Sequence, residues 1–209
     1  MIRILIADDH AIVRRGLKQL ILEEFPSAEI VEAGNGEEAL SLLTGADYDV
    51  VICDISMPGR SGIDVLQDIK NIKPQTPVLI MSMHSEDQYA IRVFKAGASG
   101  YLNKDTVHED LINAIQAIRI GRKFITPSIA EKLANSLKSD GSKKSHELLS
   151  DREFDVFKML ASGRSVSEIA DKLSLSPTTI STYRARILEK MRLRNNADMT
   201  RYAITHELI

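Results

Sequence analysis

Over residues 1–118 short apolar runs alternate with helical patterns, and no other feature constrains the fold so tightly. The runs 2–7, 28–33, 49–53, 77–81 and 99–102 read as strands, several of them rich in Ile and Val and buried on both faces. Segments 10–24, 36–43, 61–71, 86–95 and 106–119 between and after them carry helical patterns. Such alternation requires right-handed crossovers, hence an α/β fold with a five-stranded, doubly wound parallel sheet. Pro26, Gly45, Pro58-Gly59, Pro74, Pro77 and Gly97 fall at the joints. In these sheets ligands bind outside the carboxyl ends of the strands. Asp8-Asp9 closes the first run and Asp54 the third, so three carboxylates meet at that end. They do not all stay ionised without a cation. An oxygen-rich set with no His or Cys nearby suits Mg²⁺ and a phosphate substrate.

The 209 residues suffice for two domains, each with its own core. No apolar stretch approaches the ~20 residues of a membrane span, which predicts no membrane association. A strand begins at Ile2 without a cationic leader, and Cys53 is the only cysteine. A lone cysteine excludes an internal disulfide and fits a reducing, cytoplasmic setting; Cys53 itself reads as a buried strand residue. Gly34-Asn35-Gly36 lacks the spacing of a dinucleotide-binding loop and reads as a turn. Residues 1–148 carry 17 Lys/Arg against 21 Asp/Glu, whereas residues 149–209 carry 10 against 8. In the second part Arg184, Arg186, Lys190, Arg192, Arg194 and Arg201 face only Glu189 and Asp198, a basic stripe suited to phosphates. Thr126-Pro127-Ser128, followed by Ile129, Leu133 and Leu137, predicts a short helix. The polar stretch Ser139–Ser145 then reads as a linker. These shifts divide the chain into 1–119, a linker 120–148 and 149–209.

The first part resembles the receiver domain of two-component response regulators. The residues that carry the resemblance are Asp8-Asp9, Asp54 with Met57-Pro58-Gly59, Ser82 at the fourth strand's end, and Lys104 after the fifth. It implies that Asp54 is a nucleophile that accepts a phosphoryl group as an acyl phosphate. Asp8 or Asp9 with Asp54 would hold Mg²⁺, joined by the main-chain carbonyl of Ser56. Lys104 would bind the phosphoryl oxygens and Ser82 would hydrogen-bond them. Tyr101 would be the switch aromatic that turns inward as Ser82 moves, or else a half-buried strand-end residue. Ser56 and His84 would flank the site entrance with Met83 beside them, where bulk at Met83 would shield the acyl phosphate from water, or else Met83 is a plain loop residue. His10 suits a cap or solvent role. Many receivers place proline after the lysine; here Asp105 follows, and it or Thr106 would cap the last helix.

In the second part, Ser150 and Glu153 form a capping box, and Gly163 ends the helix they open. A short helix follows Ser165, Ser174-Leu175 turns, and Ser176-Pro177 starts the next, which reads as helix-turn-helix. From Leu149 onward the chain resembles the LuxR-type DNA-binding domain of the NarL/FixJ family, an all-α four-helix unit, through Glu153, Gly163, Glu168-Ile169-Ala170 and Thr179-Ile180. The 177–191 helix would enter DNA, its inner face Ile180, Tyr183, Ile187 and Met191. Ser181, Thr182 and Ala185 would fall at base edges, Thr178 and Thr179 would belong to the same DNA-binding set, and Arg184, Arg186, Lys190, Arg192 and Arg194 would lie near phosphates.

Together these resemblances imply a response regulator acting as a transcription factor rather than an enzyme. Its partners would be a sensor histidine kinase, double-stranded DNA and, on phosphorylation, a second copy. Family dimers form through the receiver or through the C-terminal helix near 196–207. One alternative is a Mg²⁺-dependent aspartyl-nucleophile phosphatase, which would need an acid two residues after Asp54; Ser56 stands there. The other is a DNA-binding protein with a vestigial receiver.

Overall fold

The computed structural model describes residues 1–83, 86–138 and 145–209; His84 and the polar stretch 139–144 lie outside them. The chain divides into two compact units, Met1–Ser136 and Leu137–Ile209. In the first, β1 (Arg3–Ala7), β2 (Glu29–Ala33), β3 (Val50–Asp54), β4 (Val78–Ser82) and β5 (Gly100–Asn103) form one sheet. All neighbours are parallel in the order β2-β1-β3-β4-β5. The order reverses at β1 and β3, and the acidic residues lie at the carboxyl ends of those two strands.

Side-chain alternation gives each face of the sheet its own core. Ile4, Ile6, Ile52, Leu79 and Met81 pack against Leu17 and Ile21 of α1 (Ala11–Glu24) and Leu111, Ile115 and Ile118 of α5 (Val107–Arg119). Leu5, Val51, Cys53 and Ile80 alternate with them and are equally buried. The remaining crossovers are α2 (Gly36–Gly45), α3 (Gly62–Ile72) and α4 (Glu86–Lys95). Asn35 of the Gly-Asn-Gly turn caps α2, its side chain accepting from the Glu38 amide at 2.9 Å. A further helix, α6 (Pro127–Lys138), follows. Thr106 occupies the N-cap of α5 without a side-chain cap, because its hydroxyl turns back to the Asn103 carbonyl at 3.4 Å.

The second unit opens with a 3-10 turn, Ser145–Leu148, and continues as α7 (Asp151–Ala161), α8 (Val166–Leu173), α9 (Pro177–Met191) and α10 (Asn196–Thr205). Each of these four helices starts at a side-chain cap: Ser150, Ser165, Ser176 and Asn195. Such caps satisfy orphan amides and are worth about 1 kcal/mol each. Phe154, Phe157, Leu160, Ile169, Ile180, Ile187 and Met199 are buried among the helices. Ser174, between α8 and α9, takes the left-handed conformation with φ 55° that turns the chain sharply. Among the described residues no helix is long and apolar enough to cross a membrane.

Candidate functional site

At the carboxyl end of the sheet, Asp54 ends β3 with 2% of its side chain exposed, and Asp8 follows β1 with 1%. Lys104, carried just past β5, bridges them: its Nζ lies 2.7 Å from Asp8 Oδ2 and 3.0 Å from Asp54 Oδ2. The Lys104 amide donates to the Ser82 carbonyl at 2.9 Å, which fixes the lysine's origin beside the end of β4. Ser82 and Tyr101 are both fully buried, so the tyrosine points inward in this structure. Ser56 and Met83 are exposed at the rim. Gly62 permits the close approach of α3 beneath this end: a Cβ there would stand 2.0 Å from the Asp54 carbonyl oxygen. Any other residue would push the β3–α3 loop off the strand.

The electrostatics follow from crowding. Burial pushes the Asp54 carboxyl up; Lys104 and the Ser56 amide oppose this, but the Asp8 charge adds to it and the net direction is upward. Burial alone would lower Lys104, yet the Asp54 and Asp8 carboxylates outweigh it and hold the ammonium charged. Burial also pushes the Cys53 thiol far up, which leaves it inert.

One lysine faces three carboxylates, counting Asp9, whose Oδ1 is buried without a hydrogen-bond partner. Ligand atoms of Asp8, Asp9, His10 and Asp54 lie within 4.8 Å of one another. An orphaned oxygen among surplus negative charge fits a divalent cation, and its hard oxygen donors fit Mg²⁺. The sequence pattern suggested an all-oxygen set, but the structure adds an imidazole: His10 Nδ1 is 2.9 Å from Asp9 Oδ1. His10 sits at the N-cap of α1 and makes no side-chain cap. Arg14 was also not foreseen; its Nη1 donates to the Asp8 carbonyl at 2.7 Å and steadies the acidic loop. A cation one turn into the helix that follows the acidic pair was the available signal.

On α9, Thr178, Ser181, Thr182, Ala185 and Arg186 are exposed, and so is Arg192 at its C-cap. Three others of the expected DNA-facing set have work within the domain. Thr179 is half-buried and its hydroxyl lies 2.8 Å from Ser176 Oγ at the cap. Arg184 Nε donates to Asn196 Oδ1 at 2.7 Å. Lys190 pairs with Glu153 at 2.6 Å, so the basic stripe has a third acidic partner besides Glu189 and Asp198. That glutamate lies thirty-seven residues upstream. Arg194 and Arg201 both pair with Asp198 at 3.0 Å. Arg186 and Arg192 have no carboxylate partner among the described residues.

A doubly wound sheet bearing a carboxylate–lysine cluster, followed by a capped helix-turn-helix unit, defines the class of two-domain signalling regulators. Residues 4–116 match the response regulator receiver domain, and residues 147–203 match the bacterial regulatory proteins of the luxR family. Response regulator UvrY of Escherichia coli O6:H1 is 33% identical over 210 residues, covering 100% of this chain and 96% of that protein. Response regulator GacA of Pseudomonas aeruginosa is 32% identical, covering 100% and 98%. RcsB from Salmonella enterica serovar Typhimurium, bound to promoter rprA in the presence of phosphomimetic BeF3⁻, aligns with TM-score 0.63. That structure is 27% identical and the alignment covers 97% of this chain and 98% of RcsB. The chain belongs to the two-component response regulators of the NarL/FixJ family, transcription regulators with a receiver and a LuxR-type DNA-binding domain. Nothing in these matches favours a phosphatase or a vestigial receiver.

Proposed function

We propose that a sensor histidine kinase transfers a phosphoryl group to Asp54, and that this modification controls dimerisation and binding of duplex DNA by residues 149–209. The observation that carries the reading is the Lys104 ammonium held between the buried side chains of Asp8 and Asp54 at 2.7 and 3.0 Å. Burial and Asp8 make the Asp54 carboxylate more basic than usual, hence a better nucleophile toward phosphorus. As its oxygen bonds to phosphorus, the kinase imidazole leaves and an acyl phosphate remains. Lys104 moves from Asp54 to the phosphoryl oxygens, and the Ser82 hydroxyl donates to them. Asp8 or Asp9, Asp54 and the Ser56 carbonyl would hold Mg²⁺, which supplies neutralisation of charge on the transferring group. The product stays on the chain, so this is a single modification and not steady turnover.

Tyr101 and Ser82 form the switch of this reading. Tyr101 is already buried, so the phosphoryl group stabilises an inward arrangement that the free chain visits. On the output side, Thr178, Ser181, Thr182 and Ala185 reach base edges while Arg186 and Arg192 take phosphates. Thr179, Arg184 and Lys190 contribute by fixing the helix. Dimerisation has a candidate surface on α10, where Ala197, Thr200, Arg201, Ile204 and Thr205 line a shallow groove and Ile204 is 62% exposed. The lone buried thiol of Cys53 accords with a cytoplasmic location. Phosphoryl labelling from a purified kinase or a small-molecule phosphodonor tests the proposal; incorporation that survives removal of Asp54 overturns it.

A further inference from the structure

The polar groups along the outer face of α9 are not equally available to a base. Thr178, Ser181, Thr182 and Ala185 are all exposed and span about two helical turns. Thr182 Oγ1 donates to the Thr178 carbonyl one turn back, at 3.0 Å, so its proton is spent inside the helix. Threonine carries oxygen and methyl on one carbon, and with the oxygen turned to the backbone the methyl faces outward. Ala185, three residues on and on the same face, offers only a methyl. Ser181 pairs with either donors or acceptors and does not decide between bases. Cations, the commonest readers of guanine, are held elsewhere: Arg184 Nε donates to Asn196 Oδ1 at 2.7 Å, and Lys190 pairs with Glu153 at 2.6 Å. Side chains as short as Thr182 and Ala185 touch a base only where the helix lies close to the groove floor. The apolar group that the major groove displays there is the C5-methyl of thymine.

We propose that Thr182 and Ala185 form an apolar pair on α9 that reads thymine C5-methyl groups, so that the DNA target is chosen by methyl contact rather than by a charged side chain on guanine. The inference rests on the reading of α9 as the helix that enters DNA. The competing use of Thr182, its oxygen accepting from an adenine or cytosine amino group, needs the oxygen and not the methyl toward the base.

The test uses the full chain with Mg²⁺ and beryllofluoride, and duplexes that it selects from a random library. Thymines of the selected sites are replaced one at a time by deoxyuridine, which removes the methyl and keeps every hydrogen-bonding group. The expected wild-type result is a loss of about fourfold at each contacted thymine, the worth of one buried methyl. Thr182→Ser keeps the hydroxyl, drops the methyl and stops distinguishing thymine from uracil at one of these positions. Thr182→Val keeps the methyl, drops the hydroxyl and restores that discrimination. Wild-type protein that binds thymine and uracil duplexes alike overturns the proposal. So does a discrimination that survives in Thr182→Ser and is lost in Thr182→Val. Ala185→Glu, which sets a carboxylate on the reading face, separates that failure from a deeper one. If it abolishes binding, α9 stands as the DNA helix whatever the methyls do; if it leaves binding intact, the assignment of α9 falls and the proposal with it.

Discussion

Asp54 and Glu153 are both nearly inaccessible carboxylates beside a lysine, at 3.0 and 2.6 Å, yet their titration is pushed in opposite directions. Burial raises both. At Glu153 it is more than reversed by the Lys190 ammonium and by the Ser150 amide and hydroxyl, so the group is held below the usual carboxylate range. At Asp54 the lysine is shared with Asp8, whose charge adds to the upward push. The difference lies in the ratio of carboxylates to cations. Glu153 has its own cation and its cap bonds, a finished structural element that ties the start of α7 to the end of α9. Asp54 is left under-compensated, in keeping with the proposed role as a cation and phosphoryl site.

The largest effect that would break this contrast is at the receiver. Asp54→Ala should abolish phosphoryl labelling, read by acid-labile incorporation, while far-ultraviolet circular dichroism stays unchanged; persistent labelling would place the nucleophile elsewhere. Next comes the structural pair. Lys190→Met leaves Glu153 buried without its cation and should cost about 1–2 kcal/mol in urea unfolding, tempered because Lys190 itself is half-exposed. A variant as stable as wild type would show that Glu153 is satisfied by its cap alone. Conversely, Asp54→Asn removes an under-compensated charge and should raise stability by about 1 kcal/mol near neutral pH, roughly 2–4 °C in melting midpoint. A lower midpoint would mean that Lys104 already compensates both carboxylates.

These signs were legible only in part from the order of residues. The strands were, because β-branched runs and turn residues locate them: the run read as 49–53 is β3 at Val50–Asp54. Asp8, Asp54 and Lys104 come together because parallel topology sends every strand end to the same side, a rule that needs no side-chain detail. Periodicity also gave the inner face of α9, where Ile180 and Ile187 are fully buried. It could not supply partners on other elements. Lys190 reads as a surface cation until α7 brings Glu153 against it, and Arg184 until α10 brings Asn196. His10 reads as a cap because its position says N-cap, whereas its ring rotamer turns toward Asp9. Such contacts depend on rotamers and interhelical angles, which no local pattern encodes.

The same contrast sets the pH behaviour. A carboxylate held low in the fold contributes stability that is present above its unfolded value and lost as pH falls through the folded one. Glu153→Gln should therefore flatten the acid side of the stability curve relative to wild type. A group held high works in reverse: its protonated form favours the fold, and stability is lost as pH rises through the folded value. Asp54→Asn should accordingly gain most toward neutral pH; equal gains at acid and neutral pH would contradict the direction given for Asp54. The smallest expected effect is on DNA, where Arg186→Ala should weaken binding a few-fold on all sequences and lower the salt slope by about one. A loss confined to one base position would make Arg186 a reader of sequence.

Chemistry at Asp54 is proposed to control the helix-turn-helix unit. DNA affinity and molar mass, measured together with and without Mg²⁺ and beryllofluoride on wild-type protein and Asp54→Ala, test it most directly. Tighter binding and a shift toward dimer are expected in the wild type, and neither change in the variant. An identical response in both proteins, or none in the wild type, would contradict it.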